Sequence, residues 1–583
     1  MSYKMCSSTS HGVPKMPQET TLLLPHTRNP DDIPGEELRL FAARNAHVPL
    51  EDIREVRWKR VSFDGRRGKM KWRVVLDLWM HDEPEPPTLQ TEPPSFRPLA
   101  PAAPRAIVIG SGPSGLFCAL SLIEKGVRPI VFERGPDVQA RRHDIALLNR
   151  GEPVNPESNY CFGAGGAGTF SDGKLYARST KRGDVGSVLE TLVAHGAPDR
   201  ILWAWRPHIG SNKLPKVVEA MVESIRTGGG EVHYDSRVDE ILTTDGAATG
   251  VRLASGDAIE ADSVVLATGH SALSSLKMAQ SAGATLEPKG FAMGVRIEYP
   301  QEWLDDRQYR GVEDHSVLPP SFFEISTQID ERGVYSFCMC PGGWVVPCQT
   351  EPDTLVMNGM SLSKRDSPFA NSALVVSIEP RDWCGKRGWR WGWPDILKKA
   401  ASISDHPMLH EVLDNPGGEP ISIAEGRLPV HTEIDPLFGV RLQVALEVLA
   451  AHAGGGNNKA PAQRSCDFIE GESELEPIET SYLPGLTRAN FDDVLPRGLH
   501  RRLRQGLESL DKQLRGLDSD FGQVIGVETR TSSPVRVLRD TDTLQSVSCA
   551  NLYPCAEGAG YAGGIISAAL DGLRIAEQVS KQS

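Results

Sequence analysis

Positive charge is in short supply in this chain: 63 Lys and Arg face 76 Asp and Glu, a net charge of −13 with a pI near 5.7. That balance argues against a general binder of nucleic acid or of anionic membranes. Cysteine is sparse and unframed. Ten residues are spread without regular spacing, with two as close as Cys338 and Cys340, a pattern of a reducing compartment and not of a disulfide scaffold. No second cysteine pair stands at ligand distance from Cys338 and Cys340, so no metal is expected. Long apolar runs are missing too. The uncharged stretch of spanning length, Ala106–Ile123, is interrupted by Gly110, Gly112, Pro113 and Gly115, and no membrane insertion is expected. Met1–Pro17 carries Lys4 and Lys15 but no acid, no arginine and no apolar core. Residues 1–19 therefore read as a disordered tail of a cytoplasmic protein, with import into a plastid or other organelle left open. No internal repeat is present.

What the chain does have is a sizeable apolar share, 39 % against 24 % charged, enough for a large globular core. The chain is organised around Arg105–Gly135. An apolar strand, Ala106–Ile109, runs into Gly110-Ser111-Gly112-Pro113-Ser114-Gly115, then a helix to about Lys125, then a strand Pro129–Phe132 ending at Glu133. Gly110 permits the turn, Gly112 lets backbone approach a pyrophosphate, and Gly115 lets the helix lie close to the strand. The helix start offers free N–H groups, and Glu133 stands where a carboxylate would take a ribose diol. No second such loop follows a strand, so one dinucleotide is held tightly.

Further stretches point to a flavin. Val264–Gly269 is an apolar strand ending in Ala-Thr-Gly. Asn551–Ile565 delivers one acid, Glu557, ahead of a helix expected to begin near Gly563, whose N–H groups would face the N1–C2=O edge of the flavin and stabilise charge there. The run Phe162–Lys174 is glycine-rich yet keeps Phe162 and Phe170, which suits backbone pressed on pyrophosphate or isoalloxazine. Glu528–Arg536 places Arg530 and Arg536 among hydroxyls, suited to an anion, with a structural salt-bridge node as the alternative. Cys338 and Cys340 read either as ordinary strand cysteines facing one way or as redox or substrate-facing groups. His270, just past the Ala-Thr-Gly strand, is the better of the histidine candidates, with His208 read as structural.

The candidate cofactor contacts are thus Gly110, Gly112, Pro113, Ser114, Gly115, Glu133 and Arg134 from the first loop. Gly165, Gly166, Gly168, Val238 and Gly269 join them from the middle of the domain, and Arg530, Arg536, Glu557, Gly563, Gly564 and Ile565 from the end. The catalytic candidates are His270, Cys338 and Cys340.

The order of patterns divides the chain. Residues 20–81 form a small α+β module, with a short strand Thr20–Leu24, a helix after Pro34, and a hairpin around Asp64-Gly65. Nine Lys and Arg lie between Arg54 and Arg73, a face expected to dock on an acidic body more readily than on RNA. Residues 82–104 hold eight prolines and read as a semi-rigid linker. Residues 105–288 and 521–583 make a discontinuous FAD-binding domain, with one helical stretch from about Val185 to Arg226, and 289–520 an inserted substrate domain.

From about Glu36 onward the chain resembles the FAD-dependent dehydrogenases often labelled NAD(FAD)-utilising dehydrogenases. The likeness rests on IGSGPSGLFCAL (Ile109–Leu120), GAGGAGTFSDGKL (Gly163–Leu175), RPHIGSNKL (Arg206–Leu214), LATGHSA (Leu266–Ala272), YSFCMCPGGWVV (Tyr335–Val346), NGMS (Asn358–Ser361), ANSA (Ala370–Ala373), ETRTSSPVR (Glu528–Arg536) and EGAGYAGGIISAALDG (Glu557–Gly572). It implies an α/β, two-dinucleotide-type (glutathione-reductase-like) FAD fold with an inserted α+β substrate domain, and oxidoreductase activity. The chain departs from the family pattern at Ala164, where an acid is usual, at Asn212, where Asp is usual, and at Leu273-Ser274, where Arg-Asp is usual. The resulting expectation is a noncovalent FAD enzyme passing hydride through flavin N5 to or from a small organic molecule, with NADPH or NADH as a transient co-substrate. The alternatives are a flavin-binding scaffold for a protein or RNA partner, and a monooxygenase or halogenase. The oligomeric state is not legible.

Overall fold

A computed structural model describes residues 17–65, 70–176, 183–310, 312, 315, 317–415, 419–431 and 435–582. Most of the tail expected over 1–19 lies outside the described residues, as do Arg66, Arg67 and Lys69 of the basic face.

Five strands form a parallel sheet in the spatial order Leu552–Pro554, Ser263–Leu266, Arg105–Ile109, Arg128–Phe132 and Glu231–His233. Val264, Val265 and Ile107 are wholly buried, which is why these segments are apolar without alternation. Helices Pro113–Glu124 and Ile565–Gln582 pack together on one face. Glycine sets the closeness: a Cβ at Gly572 would lie 2.2 Å from the Ser114 carbonyl oxygen, and one at Gly115 2.0 Å from that of Gly110. A small antiparallel sheet, Val238–Thr244, Ala247–Leu253 and Ala258–Glu260, packs against strand Ser263–Leu266 and helix Leu273–Ser281. The helical stretch expected over 185–226 is two helices, Val185–Ala194 and Leu214–Thr227. Gly196 (φ 95°) and Pro198 break it between them.

The second body is a seven-stranded sheet in the order Ser326–Ile329, Arg332–Cys340, Phe369–Ile378, Phe291–Pro300, Gln523–Glu528, Ala460–Arg464, Leu486–Arg488, antiparallel except for its last pair. Helix Phe438–Gly454, buried almost all round, runs against it. The sequence pattern assigns strand Gln523–Glu528 to the second segment of the FAD-binding domain, 521–583. It pairs instead with Phe291–Pro300 inside this sheet, and all six of its residues are buried. An apolar strand carries no mark of which sheet it joins.

The N-terminal module is a three-stranded sheet, Gln18–Pro25, Lys71–Met80 and Ile53–Asp64, covered by helix Gly35–Ala46. Val74, Leu76 and Leu78 are wholly buried against the helix, as their alternation dictates. Two of its basic side chains are neutralised within the module: Arg57 pairs with Glu55, and Lys59 with Glu19 and Asp77. Docking on the main body combines apolar and backbone contacts with one exposed ion pair, Asp31 with Arg200 at 3.6 Å. Trp58 stacks on Trp203 at 6.0 Å, and Val61 exchanges backbone hydrogen bonds with Trp203 and Trp205. The proline-rich segment follows the body's surface, with Phe96 against Gly228 and Leu99 against Gly229.

Candidate functional site

The carboxyl ends of the parallel strands open into one cleft of ≈ 1690 Å³, mouth included, the place where open α/β sheets bind ligands. After Ile109 the chain turns at Gly110 (φ 106°), where a Cβ would strike the Ala267 carbonyl oxygen at 2.5 Å. The next helix starts with Gly112 as an extended N-cap, Pro113 in its first turn, and no side chain capping it. Its first N–H groups are left for a ligand. Gly564 and Ile565 bring a second helix start to the same cleft, with Gly168 lying between Pro113 and Ile565. An added Cβ at Gly112, Gly269 or Gly564 would meet no protein atom within 4 Å. At all three points bare backbone faces the cleft, which fits a pyrophosphate and a flat ring system.

Glu133 is buried, and its carboxylate organises the loops around it. It accepts from Ser111 N and Oγ (3.0 and 2.7 Å) on one oxygen and from Gly135 N and Gly163 N (3.2 and 3.0 Å) on the other. A ribose diol would share these oxygens with four protein donors. Arg134 is set beside the cleft by Glu157 at 2.6 Å and by the Phe162 ring. Burial pushes the Glu557 carboxyl up to about 7, against the opposing pull of Lys289 and the Gly564 N–H.

The facing wall comes from the seven-stranded sheet and the Phe162–Lys174 run. Strand Arg332–Cys340 is disrupted between Phe337 and Cys340, and Cys338 takes a left-handed conformation (φ 47°), the mark of a bulge that re-aims a side chain. Cys338 reaches the cleft, while Cys340 is buried behind it. Lys174 Nζ donates to both sulfurs, at 3.5 Å to Cys338 and 3.3 Å to Cys340, and pairs with Asp172 at 3.2 Å. Burial opposes charge on Asp172, but Lys174 and Arg365 outweigh it and hold its carboxyl well below the usual range. Beneath them Arg296, wholly buried, donates to Glu528 (2.6 Å), to Asn371 (2.9 Å) and to the Cys338 carbonyl (2.9 Å). Burial pushes the Glu528 carboxyl up to about 7 even so. Burial, then the charge of Arg530, pushes the His270 imidazole down to about 4, so it is neutral near pH 7. Its Nδ1 lies 2.8 Å from Ser271 Oγ.

Of the candidates read from sequence, Gly110, Gly112, Pro113, Ser114, Glu133 and Arg134 line the cleft. So do Gly166, Gly168, Val238, Gly269, His270 and Cys338, together with Arg530, Glu557, Gly564 and Ile565. Gly115 and Gly165 stand behind the lining as close-packing glycines, where a Cβ would strike Gly110 O and Thr169 Oγ1 respectively. Gly563 lies against Glu557. Arg536 is misplaced by the sequence reading: it pairs with half-exposed Glu287 at 2.8 Å, away from the cleft. Arg530 lines the cleft and is also held by Glu447 (2.9 and 2.6 Å) and Thr350 (2.7 Å). His208 is held by the Ser363 carbonyl. Asn212 exchanges two hydrogen bonds with Ser363, steadying the loop whose Ser361 and Arg365 grip Asp172. Sequence reasoning gave no role to Lys174, Asp172, Arg296 or Glu528, although three of them lie inside motifs it marked.

Among the described residues no cluster of three or more His, Cys, Asp or Glu could hold a metal ion, and no helix is long and apolar enough to cross a membrane.

A mixed α/β fold with this cleft defines an FAD-dependent oxidoreductase. Residues 290–389 and 423–531 match the family model described as "FAD-dependent protein, C-terminal domain-like". A Clostridium beijerinckii protein, described as uncharacterized, is 37% identical over 479 residues, covering 82% of this chain and 80% of that one. The chain belongs to that family of FAD-dependent proteins. Protein FixC of Escherichia coli O157:H7 is 25% identical over 222 residues, 35% of this chain and 45% of FixC. The crystal structure of CtdE in complex with FAD spans 82% of this chain and 84% of its own at 14% identity and a TM-score of 0.28, too loose a likeness to bear on function.

Proposed function

We propose that this oxidoreductase holds FAD noncovalently in a glutathione-reductase-like, two-dinucleotide-type arrangement. On this reading it moves hydride to or from a small organic substrate seated against the Lys174–Cys338 wall. The observation that carries this reading is the pairing of two helix starts, at Gly112 and Gly564, on one cleft whose opposite wall bears a charged, sulfur-containing cluster. When bound, FAD supplies two-electron hydride chemistry at N5.

The chain's own groups have definable tasks. The Ser114 and Gly115 N–H groups receive the pyrophosphate. Glu133 fixes the first loop against the Gly163 segment and so shapes the adenosine end. Glu557 takes hydroxyls of the ribityl chain, and the Gly564 helix start favours negative charge on the adjoining ring edge. Neutral His270 offers one ring nitrogen to a substrate oxygen while Ser271 occupies the other. NADPH or NADH acts as a transient co-substrate, since the chain has one such glycine loop. The location is proposed to be cytoplasmic, with no nucleic-acid partner, in keeping with neutralised Arg57 and Lys59.

The test is spectroscopic. The purified protein should show a flavin absorbance spectrum that bleaches on anaerobic addition of a hydride donor and returns when a substrate from a metabolite panel is added. A protein that binds FAD yet answers to no donor or substrate, while binding a macromolecule through its N-terminal module, would replace this reading with a scaffold.

A further inference from the structure

Two thiols sharing one ammonium are more than a substrate-facing surface. From the bulge that turns Cys338 toward the cleft, with Cys340 directly behind it and Lys174 within 3.5 Å of both sulfurs, we propose a thiol–disulfide exchange site that takes small-molecule disulfides. Cys338 is the attacking sulfur and Cys340 the resolving one. This names the substrate class of the cleft described above and rests on that cleft being the substrate side.

A soft carbon electrophile needs one nucleophile. It gives no reason for a second thiol held at the same cation. Disulfide exchange does need it, because the first attack leaves a mixed disulfide that a neighbouring thiol must resolve. On a straight strand, Cα atoms at i and i+2 lie near the upper distance limit and the side chains point the same way, so no bond between these two cysteines is expected from sequence. The register shift and the left-handed Cys338 remove that premise, since both sulfurs converge on one nitrogen.

The electrostatics assign the roles. The Cys340 thiol has two acceptors in reach, the Cys338 sulfur and the Cys338 carbonyl at 3.4 Å. That hydrogen bond, opposed by burial and joined by the charges of Lys174 and Arg296, holds Cys338 well below an ordinary thiol, while Cys340 is held above. The outward sulfur is the readier of the two to ionise and the inward one the readier to keep its proton. Lys174 is a positioning residue. Burial opposes its charge, yet the two sulfurs and Asp172 keep it protonated.

The step balances as follows. The Cys338 thiolate attacks one sulfur of RS–SR, forming a Cys338–SR bond and releasing RS⁻. Cys340 gives its proton to that RS⁻ and its sulfur attacks Cys338 Sγ. The second RS⁻ leaves and takes a proton from water. The dithiol loses two electrons and the substrate gains them. In turnover, two electrons from a donor of the NAD(P)H class must restore the dithiol.

The test uses the full-length, FAD-loaded protein, reduced, desalted without oxygen and exposed to hydroxyethyl disulfide or glutathione disulfide, then alkylated and mapped by mass spectrometry. The wild type should lose two alkylatable thiols and gain one Cys338–Cys340 bond. Cys340→Ser should stop at a mixed disulfide on Cys338. Lys174→Met should slow that first step at least tenfold at pH 7, and move its half-maximal pH up toward that of an ordinary thiol near ~8.5. A wild type that accumulates the mixed disulfide with Cys340 still free overturns the proposal. So does Cys338 reacting no faster than the other cysteines. The flavin spectrum, read on the same sample, reports separately on the cofactor reading: an FAD-loaded protein with inert cysteines sinks only the exchange site.

Discussion

Gly112 and Gly115 stand three residues apart in one motif, yet the structure gives them opposite kinds of importance, and that contrast can be measured. Gly112 has φ −67° and ψ 179°, an extended conformation open to any L-residue, and its added Cβ meets nothing within 4 Å. Gly112→Val should therefore leave the stability of the apoprotein within about 1 kcal/mol. Its side chain would instead occupy the space in front of the helix start. Pro113 has no N–H and Leu116 N already bonds Gly112 O, so Ser114 and Gly115 carry the free donors of that turn. Two hydrogen bonds to a charged phosphate, at about 1.5–3 kcal/mol each, amount to roughly 3–6 kcal/mol, or about 10²–10⁴ in FAD affinity. Gly115→Ala is the control. Its Cβ would lie 2.0 Å from the Gly110 carbonyl oxygen, so strand and helix must part at a cost of about 1–3 kcal/mol or more in stability. Flavin fluorescence titration and denaturant unfolding of the apoproteins separate the two effects. A Gly112→Val protein that keeps FAD affinity within tenfold, or that unfolds as readily as Gly115→Ala, refutes the assignment.

Glu557→Gln should weaken FAD binding by about 1–3 kcal/mol by calorimetry, if its carboxylate serves ribityl hydroxyls. The same variant tests its raised pKa of about 7. A carboxyl that ionises later folded than unfolded makes stability fall as pH rises from about 4.3 to 7, and Glu528, also near 7, adds to that slope. Replacing Glu557 should thus flatten part of the slope, and an unchanged slope would count against a buried, protonating Glu557. Arg296→Met strands Glu528 and should cost about 3–5 kcal/mol at pH 8, with much of that recovered in Arg296→Met/Glu528→Leu. Equal losses in single and double variants, seen in denaturant unfolding, would dismiss the pair as the cause. Because burial and Arg530 push His270 down to about 4, His270→Asn should lower kcat/KM without changing the shape of its pH profile between 6 and 8; a profile that loses a limb there would assign His270 a titrating role.

The parts of the site that sequence disclosed are those whose chemistry is local. The turn at Gly110, the N-cap at Gly112 and the close contact at Gly115 all follow from residues within a few positions, and so did the helix start after Gly563, which the structure places at Ile565. The facing wall was illegible because its contacts are distant in the chain. Lys174 and Cys338 are 164 residues apart, Arg296 and Glu528 are 232 apart, and neither pair leaves a trace in spacing. Arg530 and Arg536 share one motif, yet one faces the cleft and the other Glu287, a direction set by where strand Gln523–Glu528 ends and the short strand Val535–Val537 begins. The basic face of the N-terminal module was legible as charge but not as function, because its acidic partners, Glu19 and Asp77, sit on neighbouring strands of the same sheet.

The two walls of the cleft also differ in what holds them. The cofactor side is shaped by backbone: glycines, two helix starts and Glu133 bonded to four donors, an arrangement that side-chain changes elsewhere leave intact. The sulfur side hangs on buried charge. Arg296 ties the Cys338 carbonyl to Glu528, and Glu447 ties Arg530 to the helix Phe438–Gly454. Removing one partner of such a pair costs far more than the pair itself contributes, since the remaining charge is left desolvated. Substitutions that reshape the substrate wall should therefore threaten the fold of the seven-stranded sheet before they reach the cofactor. Variants at Arg296 or Glu447 should lose stability while the protein that remains folded still carries its flavin.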